Sequence, residues 1–168
     1  MQASLPDLKD VWQWLSTVPD PEIPAISLVD LGIIRELRYE DGTLIVVITP
    51  TYSGCPATAV INQEIEAKLR ANGIEALRLD RQLSPPWTTD WMSESGREKL
   101  RGYGIAPPIG KSTTTKSIWI QPEGTPAVPC PQCGSKNTSL VSQFGSTPCK
   151  SNYRCLDCLE PFDYFKCI

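Results

Sequence analysis

The sequence predicts an α+β protein, with a small three-stranded sheet packed with helices, then a linker and a C-terminal zinc ribbon. Apolar residues recur at helical spacing in two stretches, β-branched runs flank the second of them, and two Cys-x-x-Cys pairs lie near the end. We expect residues 1–102 to form the α+β domain, 103–129 a Pro/Gly-rich linker, and 130–168 the ribbon.

The N-terminal part is expected to be a helix followed by a rigid loop. Residues 7–18 place apolar side chains on one helical face, with Asp7 as a cap and an end before Pro19. Three prolines occur between Pro19 and Pro24, which predicts an extended loop of fixed shape. That loop carries two acidic residues, Asp20 and Glu22.

The sheet is predicted from three runs of strand-forming residues. The first covers about residues 33–39, and the pair Asp41-Gly42 indicates a tight hairpin into a β-branched strand over 43–49. The third strand is expected within residues 74–83, where apolar and polar residues alternate. Together these runs predict a central strand buried between two neighbours.

Two further helices complete the prediction for this part of the chain. One is expected over about residues 56–72, with a C-terminal glycine cap at Gly73. The other is expected over 93–102, with Ser93 as its cap. Residues 103–129 contain five prolines and a Ser-Thr-Thr-Thr run, a composition typical of a linker.

Composition excludes several classes of protein. The chain has 168 residues, seven cysteines, no histidine and a net charge of −3. The absence of histidine excludes Ser-His and Cys-His catalysis and any His-ligated metal. No apolar run reaches the roughly 18 residues that cross a bilayer, and the N-terminus does not resemble a signal peptide. We expect a cytoplasmic protein that binds neither membrane nor nucleic acid.

Four of the cysteines predict a metal site. Cys130 and Cys133 form one Cys-x-x-Cys pair and Cys155 and Cys158 the other, a spacing typical of one tetrahedral structural Zn²⁺. Such a short module buries too little apolar surface to fold without the ion. The alternative is an iron–sulfur centre on the same thiolates, in which case the chain would carry electrons.

Three cysteines lie outside that set. Cys149 is interpreted as a spare buried thiol or as a thiol near the metal that exchanges into its coordination, and Cys167 has no assigned role. Cys55 precedes Pro56, a residue suited to the first helical position, which predicts Cys55 as the N-cap. There the helix dipole favours a thiolate, although a small buried cysteine is an equal interpretation.

Three motifs in the first domain resemble a known family. Residues 7–85 are similar to the small domain shared by iron–sulfur cluster assembly factors, including the bacterial SufT-like proteins and the targeting subunit of the eukaryotic cytosolic assembly complex. The motifs are Asp20-Pro-Glu-Ile-Pro24, Ser27-x-x-Asp30-Leu-Gly-Ile33 and Thr51-x-x-Gly54-Cys55-Pro56. The resemblance implies that Cys55 is a functional or cluster-transfer thiol, with Asp20 and Glu22 as a supporting acidic loop.

Almost the whole chain resembles one family in particular. The segments Trp87–Met92 and Tyr103–Pro108, and a ribbon with Phe144–Thr147 and Glu160–Phe162, are similar to the D component of the bacterial phenylacetyl-CoA epoxidase system. This resemblance implies an accessory role in aerobic phenylacetate breakdown, without catalytic activity of its own. It also implies epoxidase subunits as partners, either the flavin/iron–sulfur reductase or the oxygenase.

We interpret the chain as a factor that matures or assembles the iron–sulfur or diiron components of the epoxidase. In that role Cys55 would be a transient cluster ligand or a persulfide-type thiol. The alternative is a structural or adaptor subunit that transfers no metallocluster. Trp87 and Trp91 are interpreted either as a lid on the small core or as a docking patch.

Overall fold

The structure is a computed structural model, and it describes residues 5–110 and 127–167. Contacts divide the chain into two compact units, Met1–Trp87 and Thr88–Ile168. The boundary expected at residue 102 therefore falls inside the second unit. Most of the predicted linker, residues 111–126, lies outside the described residues.

The first unit contains two α-helices and a three-stranded sheet. Its elements are α1 (Leu8–Leu15), β1 (Ile34–Glu40), β2 (Thr43–Ile48), α2 (Thr58–Ala71) and β3 (Leu77–Arg81). The strand order is β1-β2-β3, with β1 antiparallel and β3 parallel to β2. The parallel pair follows from the crossover through α2, and it brings the carboxyl ends of β2 and β3 to one edge.

Local sequence signals explain how these elements begin and end. The Asp7 carboxylate caps α1 by accepting a hydrogen bond from the Lys9 N–H at 2.8 Å. Asp41 and Gly42 both have positive φ, 47° and 81°, as a two-residue hairpin turn requires. Gly73 has φ 85° and ends α2, confirming the predicted glycine cap.

The core of the first unit is formed by β2 and the inward faces of the helices. Every residue from Leu44 to Ile48 is buried, which confirms the predicted central strand. Helix α2 buries residues at i, i+4 and i+8, namely Ile61, Ile65 and Leu69. Val60, on the same helix, is exposed.

Ion pairs cover one face of this sheet. Ile45 of β2 lies opposite Arg38 of β1 and Arg78 of β3, and it is completely buried. Arg38 pairs with Asp80 at 3.5 Å and Arg78 with Glu40 at 3.2 Å, so both ion pairs link β1 to β3 across β2. Such pairs stabilise little by charge alone, but the aliphatic stems of the arginines cover apolar surface.

The second unit contains one α-helix and a four-stranded sheet. A short 3₁₀ turn, Thr89–Trp91, precedes the helix α3 (Glu94–Gly102), whose N-terminus is capped by Ser93. The strands are β4 (Ile105–Ala106), β5 (Thr138–Ser142), β6 (Lys150–Cys155) and β7 (Pro161–Phe165), in the order β4-β7-β6-β5.

The sequence does not predict strand β4, because its residues lie within the segment expected to be a linker. Ile105 and Ala106 are buried and pair in parallel with β7, with Ile105 opposite Asp163. Two apolar residues are too few to indicate a strand, and the pairing is with residues almost sixty positions later.

The helices that the structure describes are all too short or too polar to span a membrane.

Candidate metal centre and cysteine loop

Four cysteine sulfurs meet in the second unit. The Sγ atoms of Cys130, Cys133, Cys155 and Cys158 all lie within 4.8 Å of one another. The Cys130–Cys158 sulfur distance is 3.7 Å and the Cys133–Cys155 distance is 3.6 Å. A tetrahedral zinc ion with Zn–S bonds of about 2.3 Å requires sulfurs about 3.8 Å apart, so the four thiols fit this ion.

Two similar turns, here called the first and second knuckle, hold the sulfurs. In the first knuckle (residues 130–135), Gly134 N donates to Cys130 O at 2.9 Å and Cys130 N donates to Ser135 O at 2.8 Å. In the second (residues 155–160), Cys155 N donates to Glu160 O at 2.9 Å. Each knuckle is therefore closed by its own backbone hydrogen bonds, and its two thiols point toward those of the other knuckle.

Asp157 joins the two knuckles. Its carboxylate accepts hydrogen bonds from the Ser135 hydroxyl and, at 2.7 Å, from the Asn137 side-chain amide. These two donors lower the pKa of Asp157 below its ordinary value. Leu156 N also donates to Asn137 O at 2.8 Å. Sequence reasoning does not identify Asp157, although its place between two ligands is a usable signal for a residue that orients them.

The thiols titrate unequally. The backbone N–H groups of Cys158 and Asp157 donate to the Cys155 sulfur and lower its pKa to about 7. The Glu160 N–H acts in the same direction on Cys158, but desolvation and the other three thiols outweigh it and raise the pKa of Cys158 to about 12. Four thiolates this close repel one another, so the full set of charges requires a bound cation.

The metal site rests on the hydrophobic core of the second unit. Cys130 and Cys155 are buried, whereas Cys133 and Cys158 are exposed. The buried pair packs with Ala106, Val128, Tyr153 and Phe162, and the rings of Tyr153 and Phe162 stack 5.8 Å apart. One side of the centre is therefore continuous with the core, and the other faces solvent.

Cys149 and Cys167 lie away from this centre along the chain. Cys149 is buried and precedes β6, whereas Cys155 ends the same strand, so an extended run of about 20 Å separates them. This separation argues against exchange of Cys149 into the metal shell. Cys167 donates through its sulfur to Ile109 O at 3.0 Å, which ties the last described residues to the segment after β4.

Cys55 occupies the loop between β2 and α2. The loop begins at the carboxyl end of β2, next to the parallel strand β3, a position where open α/β sheets commonly bind ligands. The Cys55 side chain is partly exposed, and a Cβ atom built on Gly54 would meet nothing within 4 Å. Cys55 therefore lies at the surface of the loop, and the space beside Gly54 is open.

The predicted N-cap role of Cys55 is wrong. The N-cap of α2 is Ala57, with no side-chain hydrogen bond, and the helix begins at Thr58. Cys55–Thr58 forms a separate turn, in which the Thr58 N–H and hydroxyl both donate to Cys55 O at 3.2 and 2.8 Å. Because this turn comes before the helix, the argument from the helix dipole does not apply to Cys55.

Arg81 anchors the Cys55 loop, a contact that sequence reasoning misses. Its guanidinium donates to Ser53 O, two residues before Cys55. Arg81 is the last residue of β3, and the following Gln82 N donates to Ile48 O at 2.8 Å. The end of one strand thus holds the loop that leaves its neighbour, a long-range contact that no local pattern indicates.

The acidic loop is shaped by Asp20. Its Oδ1 atom accepts from Glu22 N at 2.9 Å and Ile23 N at 2.8 Å, and its own N–H donates to Ile26 O at 2.8 Å. Asp20 is only 7% exposed, whereas Glu22 is partly exposed. The carboxylate of Asp20 therefore stabilises the proline-rich turn by accepting these two backbone hydrogen bonds.

The two predicted groups of site residues differ in whether they could hold a metal ion. Within residues 5–110 and 127–167, the four ribbon cysteines are the one set of three or more Cys, Asp or Glu close enough to hold a metal ion. Cys55, Asp20 and Glu22 do not form such a set.

Trp87 is buried and donates to Leu31 O at 3.0 Å, which supports its interpretation as a lid.

Comparisons with known proteins match both parts of the chain. The family described as iron-sulfur cluster assembly protein matches residues 8–75, and the family described as PaaD zinc beta ribbon domain matches residues 112–166. The fold and the four-cysteine centre therefore define a two-part protein, an iron–sulfur assembly domain joined to a zinc ribbon.

A full-length relative identifies the particular family. A protein of Escherichia coli (strain K12), provisionally named as the D component of 1,2-phenylacetyl-CoA epoxidase, is 47% identical over 163 residues, covering 97% of this chain and 94% of the relative. The chain belongs to this family, the PaaD or D component of phenylacetyl-CoA epoxidase.

Two further similarities concern the first unit. A protein of Porphyromonas gingivalis named Fe-S protein maturation auxiliary factor is 34% identical over 94 residues, which are 55% of this chain and 89% of that protein. The solved structure of a conserved hypothetical protein from Thermotoga maritima aligns with a TM-score of 0.50 at 27% identity, over 59% of this chain and 98% of that one. Both support the predicted resemblance of the first unit.

Proposed function

We propose that this chain matures the iron–sulfur reductase of the phenylacetyl-CoA epoxidase, with Cys55 as a transient ligand of the cluster that it delivers. The observation that carries the proposal is that Cys55 is a partly exposed residue in a loop at the carboxyl ends of β2 and β3. The relative named for Fe-S protein maturation, which matches this unit, supports it.

The chemistry required of Cys55 is ligand exchange. Its thiol loses a proton to solvent as the sulfur binds a cluster iron and a donor's ligand leaves, and the reverse exchange passes the cluster to the acceptor. No electron is gained or lost by the chain. Arg81 holds the backbone of the loop at Ser53, and the Cys55–Thr58 turn holds it at Cys55.

The remaining predicted residues have supporting roles in this proposal. Asp20 shapes the acidic loop, and Glu22 presents a second, partly exposed carboxylate there. The ribbon holds one structural zinc ion through Cys130, Cys133, Cys155 and Cys158, and four thiolates leave no coordination position for a substrate. When bound, the ion supplies folding energy to the ribbon rather than chemistry.

The test is the metal content of the reductase made in cells that carry wild-type protein or Cys55→Ala. We expect the reductase to contain iron and acid-labile sulfide near full stoichiometry with wild type and to be several-fold poorer with the variant. Cys167→Ala is the matched control, because Cys167 is another partly buried cysteine outside the four-cysteine set. Equal iron with Cys55→Ala and wild type would refute the assigned role of Cys55.

An adaptor role is the second candidate, favoured by the closed four-cysteine centre. It predicts a complex with the oxygenase or the reductase that needs the ribbon and not Cys55. Co-purification at fixed stoichiometry, unchanged by Cys55→Ala and lost with Cys133→Ser, would favour this candidate. Together with normal iron content in the reductase, that result would replace the maturation proposal.

A further inference from the structure

Several hydrogen bonds join the two knuckles without using a sulfur. Asp157 of the second knuckle accepts from the Ser135 hydroxyl of the first and, at 2.7 Å, from the Asn137 side-chain amide. Leu156 N donates to Asn137 O at 2.8 Å. We call this set of bonds the latch. Because none of its members is a metal ligand, the latch holds the knuckles side by side whether or not an ion is bound.

The strands next to the knuckles strengthen this connection. Thr138 of β5 lies opposite Cys155 at the end of β6, and the Thr138 hydroxyl donates to Val128 O at 2.8 Å. Val128 packs with Cys130 and Cys155 in the same buried core. The first cysteine of each knuckle is therefore held in place by strand pairing and apolar packing in addition to any metal bond.

The sulfurs make contact across the knuckles. Cys133 Sγ lies 3.6 Å from Cys155 Sγ, and Cys130 Sγ lies 3.7 Å from Cys158 Sγ. Each pair joins an exposed residue, Cys133 or Cys158, to a buried one. Redox-sensitive sites are commonly built this way, with an accessible cysteine beside a second that resolves it. A disulfide of about 2.05 Å requires each pair to move closer by about 1.6 Å.

We propose that the four-cysteine centre is a reversible oxidation site, which a peroxide converts into a metal-free form with the disulfides Cys133–Cys155 and Cys130–Cys158. The exposed member of each pair is oxidised, and its buried neighbour from the other knuckle closes the bond. The ribbon keeps its fold, because the latch and the core hold the knuckles while two cross-links replace the ion. This inference goes beyond the proposed function and does not depend on the role of Cys55.

The chemistry balances with hydrogen peroxide as the oxidant. The Cys133 thiolate attacks one peroxide oxygen, so that an S–O bond forms and the O–O bond breaks, and the departing hydroxide takes a proton to become water. The Cys155 thiolate then attacks the sulfur of this sulfenic acid, an S–S bond forms, and the hydroxide that leaves is protonated to water. Two electrons pass from the two sulfurs to one peroxide. Cys158 and Cys130 react in the same way, so four thiolates consume two peroxide molecules and four protons.

The test treats the purified, zinc-loaded full chain with hydrogen peroxide. A chromogenic chelator measures zinc release, and mass spectrometry of peptides, after free thiols are blocked, identifies the disulfides. We expect one zinc ion per chain to be released, with Cys133–Cys155 and Cys130–Cys158 as the main linkages. A thiol reductant added together with zinc should restore the starting protein, and circular dichroism should change little throughout.

Variants of the latch test why these pairs form. Asp157→Ala removes its shared acceptor, so linkages other than the two cross-knuckle ones should rise several-fold. The same measurement on the reduced, metal-free chain keeps this result independent of zinc affinity. Glu160→Gln is the matched control, because it changes another exposed acid of the second knuckle outside the latch, and it should give the wild-type linkages. Cys55→Ala should also give them, so failure of cluster transfer and failure of this oxidation are told apart.

Three outcomes would overturn the proposal. Disulfides within each knuckle, Cys130–Cys133 and Cys155–Cys158, would show that contact across the knuckles does not direct the reaction. Four free thiols and a retained zinc ion after prolonged exposure to excess peroxide would exclude an oxidation site. Loss of the ribbon's β structure on oxidation would show that the ion holds the knuckles together and the latch does not.

Discussion

Replacing Asp20 with alanine should destabilise the first unit. The substitution removes the acceptor of two backbone N–H groups, those of Glu22 at 2.9 Å and Ile23 at 2.8 Å. The Ile23 bond is buried and the Glu22 bond is partly buried, so water replaces only part of what is lost. At about 1–3 kcal/mol for each unsatisfied donor, with a discount for Glu22, we expect a loss of about 2–4 kcal/mol.

Urea unfolding of the full chain, followed by tryptophan fluorescence and circular dichroism, measures this loss. Asp20→Asn keeps an oxygen in the Oδ1 position and should lose about 1 kcal/mol or less. Glu64→Ala, an exposed carboxylate on α2, is the control and should change stability by less than about 0.5 kcal/mol. Amide exchange should show that the Ile23 N–H loses protection in Asp20→Ala.

An unchanged unfolding midpoint in Asp20→Ala, with the Ile23 amide still protected, would refute the reasoning. The amide variant also separates two uses of this residue, because Asp20→Asn keeps the shape of the loop without its charge. A reductase with normal iron content in cells carrying Asp20→Asn would limit Asp20 to a structural role. An iron-poor reductase would show that the carboxylate itself takes part in transfer.

Two other predictions concern the sulfur chemistry. Zinc added to the metal-free chain at pH 8 should release protons from Cys133 and Cys158, whose pKa values are raised by desolvation and by the neighbouring thiols, and little from Cys155, whose pKa is about 7. Zinc affinity should therefore rise with pH, and zinc binding in weak buffer with a pH indicator checks the release. Arg81→Gln should increase hydrogen exchange in the Cys55 loop several-fold, whereas Arg78→Gln should not; equal exchange in both variants would exclude Arg81 as its anchor.

Local chemistry makes much of the fold predictable. Several of its features depend on only a few neighbouring residues, so a short segment of sequence is enough to predict each one. They are the Asp41-Gly42 turn, the Asp7 and Ser93 caps and the glycine that ends α2. The four cysteines that could hold a metal ion are predictable for a similar reason. Each Cys-x-x-Cys pair specifies its own knuckle, and the ion needs only two knuckles to meet.

Contacts between distant residues account for what sequence reasoning misses. The pairing of Ile105 with Asp163, the bond from Arg81 to Ser53 and the bonds to Asp157 leave no periodic signal. The N-cap error has a local cause. Pro56 is compatible with a helical start, but the Thr58 hydroxyl bonds to Cys55 O and forms a turn before the helix.

The parallel pairing of β2 and β3 has a consequence for the order of folding. The β1–β2 hairpin closes through two residues, whereas β3 joins β2 only after the whole of α2 has crossed over. Contacts of longer sequence separation form later, because the chain entropy they cost is larger. We therefore expect the Cys55 loop to gain its anchor at Arg81 late, so a newly made chain passes through a stage in which its hairpin is formed and its thiol is not yet held in place.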